Sequence, residues 1–161
     1  MWPLIQLDWY WIVVLDVVLW LTIQMSIWVI ASHFPQRWFL KPTWFYRTPK
    51  WFIWVLEHIL FIRVWQPHLP EGADTFDKNG FTKSKIKSSD NDYLKMYVIE
   101  TRKGEFAHYL PIAFIVLFIP FNPWWALLIN LAYICLINFP CGFSMRYNRY
   151  RIERILSRRR K

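Results

Sequence analysis

The 20 basic residues of this chain fall into two blocks, and this distribution constrains the fold more than any other feature of the sequence. Residues 1–36 and 104–145 contain no Lys or Arg, whereas residues 37–103 carry twelve and residues 146–161 carry eight. A globular protein scatters its positive charges over its surface. A membrane protein concentrates them in the cytoplasmic segments that flank its apolar spans. The distribution therefore predicts an integral membrane protein whose two basic blocks face the cytosol.

The aromatic content supports the same class of protein. Of 161 residues, 55% are hydrophobic, 20% are aromatic and 12 are Trp. A soluble domain of this length has too little interior for so many large rings, whereas Trp and Tyr are favoured at membrane interfaces. The net charge of +9 would also suit nucleic acid, but each basic block adjoins an apolar segment and no nucleic-acid recognition module is visible. We therefore expect the lipid bilayer and its anionic headgroups as partners, and no nucleic acid.

The apolar pattern predicts a single all-α membrane domain over residues 1–161, with about three transmembrane helices and one interfacial amphipathic helix. The predicted segments are, in chain order, a first transmembrane helix (4–31), an interfacial connector with an amphipathic helix at 51–65 (34–66), a cytosolic loop (67–92), a helix that enters the membrane as the second span (93–120), a third span (123–145) and a basic cytosolic tail (146–161). The basic blocks place the N-terminus outside and the C-terminus inside. The N-terminus lacks the positive region of a secretory signal, so we expect the first apolar segment to be retained.

Three local features refine this topology. Asp16 lies too deep in the first span to reach water, so we expect it to pair with a polar group on a neighbouring helix; a direct chemical role is the alternative. Asp90 or Asp92 is expected to cap the helix that follows the loop. The sequence Phe-Asn-Pro at 121–123 predicts a tight turn between the last two spans.

The residues best suited to catalysis lie between Glu100 and His108. On a helix, Glu100, Thr101, Gly104, Glu105 and His108 lie within an arc of about 140°. The helix thus presents two carboxylates, a hydroxyl and an imidazole on one face as it enters the membrane. A His beside a Glu is suited to general base catalysis, because the carboxylate fixes the tautomer and stabilises the imidazolium. The alternative is a hydrogen bond between Glu105 and His108 that serves packing alone.

The predicted hairpin brings further polar groups to a similar depth. Pro111 and Pro140 each leave a carbonyl unpaired one turn earlier, and in lipid such groups need a partner or a water-filled cavity. Asn138 and Cys141 surround the second proline, so we expect them near His108 and close to the cytosolic leaflet. Prolines tolerated for packing alone are the alternative.

Metal and thiol chemistry are not expected. The Glu-x-x-His unit at Glu105–His108 is half of a carboxylate di-iron pattern, which needs a second copy and two further Glu. No second copy is present, and the other three His residues are scattered. Cys135 and Cys141 lie in apolar sequence and are expected as thiols. A raised pKa in such surroundings favours a structural Cys141 over an acyl thioester.

Four short blocks resemble the glycosyl-4,4'-diaponeurosporenoate acyltransferase family in order and spacing. They are Glu-Thr-Arg-Lys-x-Glu-x-x-His (100–108), Phe-Asn-Pro-Trp-Trp (121–125), Asn-x-Pro-Cys (138–141) and Arg-Tyr-Asn-Arg (146–149). An upstream stretch, Arg-x-Trp-x-x-x-Leu-Pro-Glu-Gly (63–72), resembles a further block, so the similarity covers about residues 60–157. The resemblance implies transfer of a fatty acyl chain to a hydroxyl of a glycosylated lipid such as a carotenoid glycoside, in a multi-pass bacterial cell-membrane protein.

Roles for the candidate catalytic residues follow from their chemistry. His108 would deprotonate the acceptor hydroxyl, Glu105 would orient His108, and Glu100 would bind the sugar. Five further polar residues are predicted to bind substrate or donor: Thr101, Asn138, Arg146, Asn148 and Arg149. Among them, Asn138 could donate to the developing oxyanion, and Arg146 and Arg149 could bind phosphates of an acyl-CoA or phospholipid donor. No cofactor is expected beyond this co-substrate.

Two other functions fit the same chain. A non-catalytic membrane partner that presents lipid to another enzyme would need the basic blocks but not His108. Another small intramembrane enzyme, such as a methyltransferase or reductase, would need a cofactor pocket, and no Gly-rich phosphate-binding loop is visible in the sequence.

Overall fold

The computed structural model describes residues 3–41, 43–69 and 90–159. Within these ranges the chain is helical and contains no strand, which confirms the predicted all-α class. The α-helices are α1 (Trp9–Ser32), α2 (Lys50–His58), α3 (Ile62–Trp65), α4 (Asn91–Ala113) and α5 (Trp124–Arg159). Short 3₁₀ segments cover Gln36–Trp38, Trp44–Tyr46, Gln66–His68 and Phe114–Phe118. Most of the predicted cytosolic loop (67–92) lies outside the described residues.

The chain divides into two compact units. The first unit comprises Met1–Phe34 and Phe106–Phe139, and the second comprises Pro35–Glu105 and Pro140–Lys161. Each of the two long helices, α4 and α5, contributes one part of its length to each unit.

In the first unit, α1 buries one stripe of its surface. Trp20, Ile23 and Ile27 recur at the spacing of a helix face and are buried. They pack in one cluster with Phe118 and Ile134, and Trp20 stacks on Phe118 with ring centroids 4.4 Å apart. The other faces of α1 expose apolar side chains.

Asp16 has the polar partners predicted for it. Its two carboxylate oxygens accept hydrogen bonds from Asn122 Nδ2 and Asn130 Nδ2, both at 2.8 Å. Asn130 also accepts a hydrogen bond of 2.6 Å from the indole Nε1 of Trp20. Because Asn130 lies on α5, the predicted pairing of Asp16 with a polar group on a neighbouring helix is confirmed. The carboxylate is thus satisfied by amide donors.

Among the described helices, α1 and α5 are long and apolar enough to cross a membrane, as judged by length and composition. Only 17% of the apolar stretch of α1 and 28% of that of α5 is buried, whereas a core helix of a soluble protein is mostly buried. The apolar part of α4 is short, because the helix ends at Ala113 and continues as the 3₁₀ segment. The second span, the three-span topology and its orientation therefore stay predictions.

The predicted single amphipathic helix at 51–65 is wrong, because the structure contains two short helices, α2 and α3. The chain turns into the left-handed region at Phe61, with φ 48° and ψ 43°. The amides of Ile59 and Leu60 both donate to the carbonyl of Val55 at 3.0 Å and close the last turn of α2. Periodicity does not reveal this break, since non-glycine residues seldom adopt positive φ.

The start of α4 agrees with the sequence prediction, whereas the end of α5 differs from it. Asp90 Oδ2 accepts hydrogen bonds from the amides of Asp92 and Tyr93 at 3.1 and 3.4 Å, which confirms an aspartate cap on α4. The predicted change from span to tail after Met145 does not interrupt the secondary structure. Instead α5 runs on through the basic residues to Arg159 and comprises 36 residues.

Candidate active site

The polar face predicted between Glu100 and His108 lies on α4. Thr101 and Glu105 are buried, with exposed fractions of 1% and 0%. The hydroxyl of Thr101 donates to the carbonyl of Val98 at 2.8 Å, so its proton is used within the helix. Along this face, Glu105 belongs to the second unit and His108 to the first.

Glu105 is the centre of a buried ion cluster in the second unit. Arg146 Nε donates to its Oε1 and Arg149 Nη1 to its Oε2, each at 2.5 Å. A second nitrogen of Arg146 also contacts Oε1. The side chains of Glu105 and Arg149 are fully buried, and that of Arg146 is 15% exposed. A carboxylate tolerates this burial because two guanidinium groups bond both of its oxygens.

The same two arginines hold the connector that precedes α2. Nη2 of Arg146 donates to the carbonyl of Phe45 at 2.9 Å, and Nη2 of Arg149 donates to that of Tyr46 at 3.2 Å. Each guanidinium also lies over the ring of the same residue, 5.5 Å from Phe45 and 5.4 Å from Tyr46. Burial, and then the charge of Glu105, raise the pKa of the Tyr46 phenol. The predicted phosphate contacts of both arginines stay predictions. In this arrangement the buried Arg149 bonds Glu105 and the carbonyl of Tyr46.

Arg102 extends this pattern further along the connector. Its Nη1 donates to the carbonyls of Phe39 and Leu40, both at 2.9 Å. Its Nη2 donates to Glu153 at 2.9 Å. Three arginines from α4 and α5 thus pair with backbone carbonyls of the connector.

In the first unit, His108 is paired with Asn138. The distance from His108 Nδ1 to Asn138 Oδ1 is 3.2 Å. Asn138 is 1% exposed, and its Nδ2 donates to the carbonyl of Ile134 at 3.0 Å. The structure therefore brings together two of the predicted site residues, α4 supplying the imidazole and α5 the amide.

Comparison with known proteins agrees with the sequence blocks. The sequence model of a family described as glycosyl-4,4'-diaponeurosporenoate acyltransferase matches residues 35–158, which is most of the chain. The chain belongs to this family. The predicted resemblance and the predicted acyltransferase class are thereby confirmed.

Individual relatives carry the same name. A glycosyl-4,4'-diaponeurosporenoate acyltransferase of Staphylococcus haemolyticus (strain JCSC1435) is 29% identical over 138 residues, covering 83% of this chain and 78% of the relative. One from Staphylococcus aureus (strain bovine RF122 / ET3-1) is 24% identical over 147 residues, covering 85% and 83%. No solved structure matches the chain.

Two of the sequence blocks described above meet in the second unit. Tyr147, from the Arg-Tyr-Asn-Arg block, donates its hydroxyl proton to Glu57 at 2.7 Å. Arg63, from the upstream block, donates to the same carboxylate at 2.6 Å and to the hydroxyl oxygen of Tyr147 at 3.0 Å. The hydrogen bonds from Tyr147 and from Arg63 lower the pKa of the Glu57 carboxyl.

Two further predicted binding residues also contact the segment before α4. Asn148 Oδ1 accepts a hydrogen bond of 2.8 Å from Gln66. Glu100 Oε1 accepts a hydrogen bond from Gln36 at 3.5 Å, the limit of a useful distance. The predicted sugar contact of Glu100 and the binding role of Asn148 stay predictions.

Sequence reasoning missed the backbone acceptors in both units. Carbonyl groups such as those of Phe45 and Tyr46 leave no signal in the sequence, because every residue carries one. The carbonyl of Ile134 is different. A buried Asn or Ser in a helix commonly donates to the carbonyl four residues earlier, so the Asn138–Ile134 contact could have been read from the spacing.

Proposed function

We propose that this protein is a membrane-bound O-acyltransferase that moves a fatty acyl chain to a hydroxyl of a glycosylated lipid such as a carotenoid glycoside. Family membership supports the reaction class, and the names of the relatives support a glycosylated carotenoid acceptor. The observation that carries the site is the hydrogen bond of 3.2 Å between His108 and the buried Asn138. It provides an oriented imidazole on a helix of the first unit.

His108 acts as general base and then as general acid. Its imidazole accepts the proton of the acceptor hydroxyl while that oxygen attacks the acyl carbonyl of the donor. A new ester C–O bond forms, and the bond from the acyl carbon to the donor's sulfur or oxygen breaks. The imidazolium returns the proton to this leaving group. An acyl donor and an alcohol thus give an ester and a protonated leaving group, and the base is regenerated without a cofactor.

The donor is an acyl-CoA or a phospholipid used at the cytosolic leaflet of the cell membrane. Exposed apolar side chains on α1 support a bilayer environment. In the second unit, Trp44 and Trp51 are 82% and 67% exposed, which suits the interfacial belt where Trp is favoured. The neighbouring Arg47 and Lys50 suit anionic headgroups.

The first prediction tests the base. His108→Gln should lower acyl transfer by about 10²- to 10⁴-fold, because glutamine cannot accept the proton. Mass spectrometry of lipids from cells that supply the glycosylated acceptor would measure the ester product and the accumulated acceptor. His58→Gln is the matched control, since that ring is bonded through Nδ1 to a carbonyl of its own helix, that of Trp54, at 3.0 Å.

The two variants also separate the proposal from the lipid-presenting alternative. A non-catalytic partner would tolerate both substitutions equally. Near-normal ester formation by His108→Gln, in protein present in the membrane at the wild-type level, would therefore refute His108 as the base.

A further inference from the structure

The orientation of the Asn138 amide is fixed by its buried surroundings. Its Nδ2 lies 3.0 Å from the carbonyl oxygen of Ile134, and a carbonyl oxygen can only accept. The reversed amide would place two oxygens against each other in a buried site, at a high cost. Nδ2 therefore faces Ile134, and Oδ1 faces His108.

This orientation determines where the His108 ring carries its proton. The amide oxygen at 3.2 Å can only accept, so Nδ1 must be the donor. In the neutral ring, the lone pair then belongs to Nε2. In the imidazolium, both nitrogens carry protons and Nδ1 keeps its hydrogen bond. The proton that is gained and lost is therefore the one on Nε2.

A second asparagine on α5, Asn130, is oriented in the same way, and its partner determines the orientation of its amide without ambiguity. Asn130 Nδ2 donates to the carbonyl of Ala126 at 3.1 Å, four residues earlier, as Asn138 does to Ile134. Asn130 Oδ1 accepts from the indole of Trp20 at 2.6 Å. An indole N–H can only donate, so the atom that faces away from the helix must be the amide oxygen. In both cases a helical carbonyl orients the asparagine as an acceptor for a ring N–H.

We propose that Asn138 is a positioning residue that holds neutral His108 as the Nδ1–H tautomer, so that Nε2 is the basic atom. The catalytic consequence rests on the proposed acyl transfer, whereas the tautomer itself does not. An amide suits this task because its acceptor is neutral. It fixes the ring without adding a negative charge that would hold the transferred proton on the imidazolium.

The tautomer can be observed directly by ¹⁵N NMR of histidine-labelled protein in detergent micelles, with His108→Gln identifying the signals of this ring. In the wild type at a pH where the ring is neutral, we expect Nδ1 to carry the proton. Asn138→Leu removes the acceptor and should convert the ring to a mixture containing the Nε2–H form. Asn138→Asp keeps an acceptor oxygen at the same place and should retain Nδ1–H. If the neutral wild-type ring carries its proton on Nε2, this result alone would overturn the inference.

Kinetics supply the second readout. Asn138→Leu should lower kcat by about 10²-fold, as expected when a base is misoriented or in the wrong tautomer, with little change in KM for the acceptor. Asn138→Asp should recover part of this loss. An unchanged kcat in Asn138→Leu, with the ring shown to be Nε2–H, would overturn the positioning role.

The two proposals fail in different ways. If His108→Gln is inactive while the wild-type ring is Nε2–H, His108 stays the base and the role of Asn138 is refuted. If the ring is Nδ1–H but His108→Gln is fully active, the tautomer is correct and the catalytic role of the pair is refuted.

Discussion

At the scale of single residues, the burial of Glu105 requires its carboxylate to be paired with positive charges. Its two oxygens are bonded by Arg146 and Arg149 at 2.5 Å, and its side chain is fully buried. Removing one member of such a cluster leaves the others charged and unpaired in a medium of low dielectric constant. Glu105 therefore serves as the counter-ion of two arginines that hold the connector.

We predict that Glu105→Gln destabilises the protein by about 3–5 kcal/mol, the cost typical of breaking a buried ion pair. The matched control is Glu153→Gln. Glu153 pairs with Arg102, but its own side chain is 40% exposed, and Arg102 keeps its hydrogen bonds to two backbone carbonyls, so we expect a smaller loss than for Glu105→Gln. Thermal unfolding in detergent, followed by the loss of helical circular dichroism, would compare the two midpoints. Equal midpoints for the two variants would contradict the assignment of Glu105 as a buried counter-ion.

The sequence predicts that a buried charged side chain has a polar partner more readily than it predicts which residue that partner is. A polar partner for Asp16 follows from the cost of a lone carboxylate in an apolar helix, but Asn122 and Asn130 lie 106 and 114 residues away. Glu105 was assigned to His108 because residues three apart share a helix face. Its arginine partners are 41 and 44 residues away, and such pairings depend on helix packing, which no local pattern encodes.

At the scale of elements, hydrophobic pattern located the helices better than it located their ends. The turn at 121–123 and the Asp90 cap have local chemical signals, and both are present. The break between α2 and α3 has none, because it depends on a left-handed Phe61. The continuation of α5 through the basic residues was also missed, since a change from apolar to charged sequence marks a change of solvent and does not end a helix.

Phe61 supplies a test at this scale. A non-glycine residue in the left-handed region costs about 1–2 kcal/mol, and Phe61 is 60% exposed, so its ring contributes little packing. Phe61→Gly removes this cost and adds about 0.5–1 kcal/mol of unfolded-state entropy. Phe61→Ala keeps the cost and also loses the ring. We expect the glycine variant to unfold in detergent at a higher temperature than the alanine variant, and a lower midpoint for glycine would show that the left-handed turn is not maintained.

At the scale of the whole molecule, the two basic blocks predict on which side of the membrane each segment lies. The charges of residues 37–103 and 146–161 predict that both blocks face the cytosol. If α1 crosses the membrane, residues before it lie outside. Both blocks can then share one side only if the stretch 104–145, which contains no Lys or Arg, crosses twice or not at all.

The last prediction distinguishes these two cases through the turn at 121–123. In a protein whose two native cysteines are replaced by serine, Trp124→Cys lies beside this turn at a position that is 68% exposed. If 104–145 crosses twice, a membrane-impermeant maleimide should label this cysteine in intact cells, whereas Ser157→Cys on the basic end of α5 should react only after permeabilisation. Leu4→Cys is the control for the outer side, since the first span should place it outside. Because α5 is one continuous helix of 36 residues, the Trp124 and Ser157 positions lie on opposite sides only if this helix spans the bilayer. Trp124→Cys protected in intact cells and labelled after permeabilisation, with Leu4→Cys accessible throughout, would refute the second and third spans and leave α1 as the single crossing.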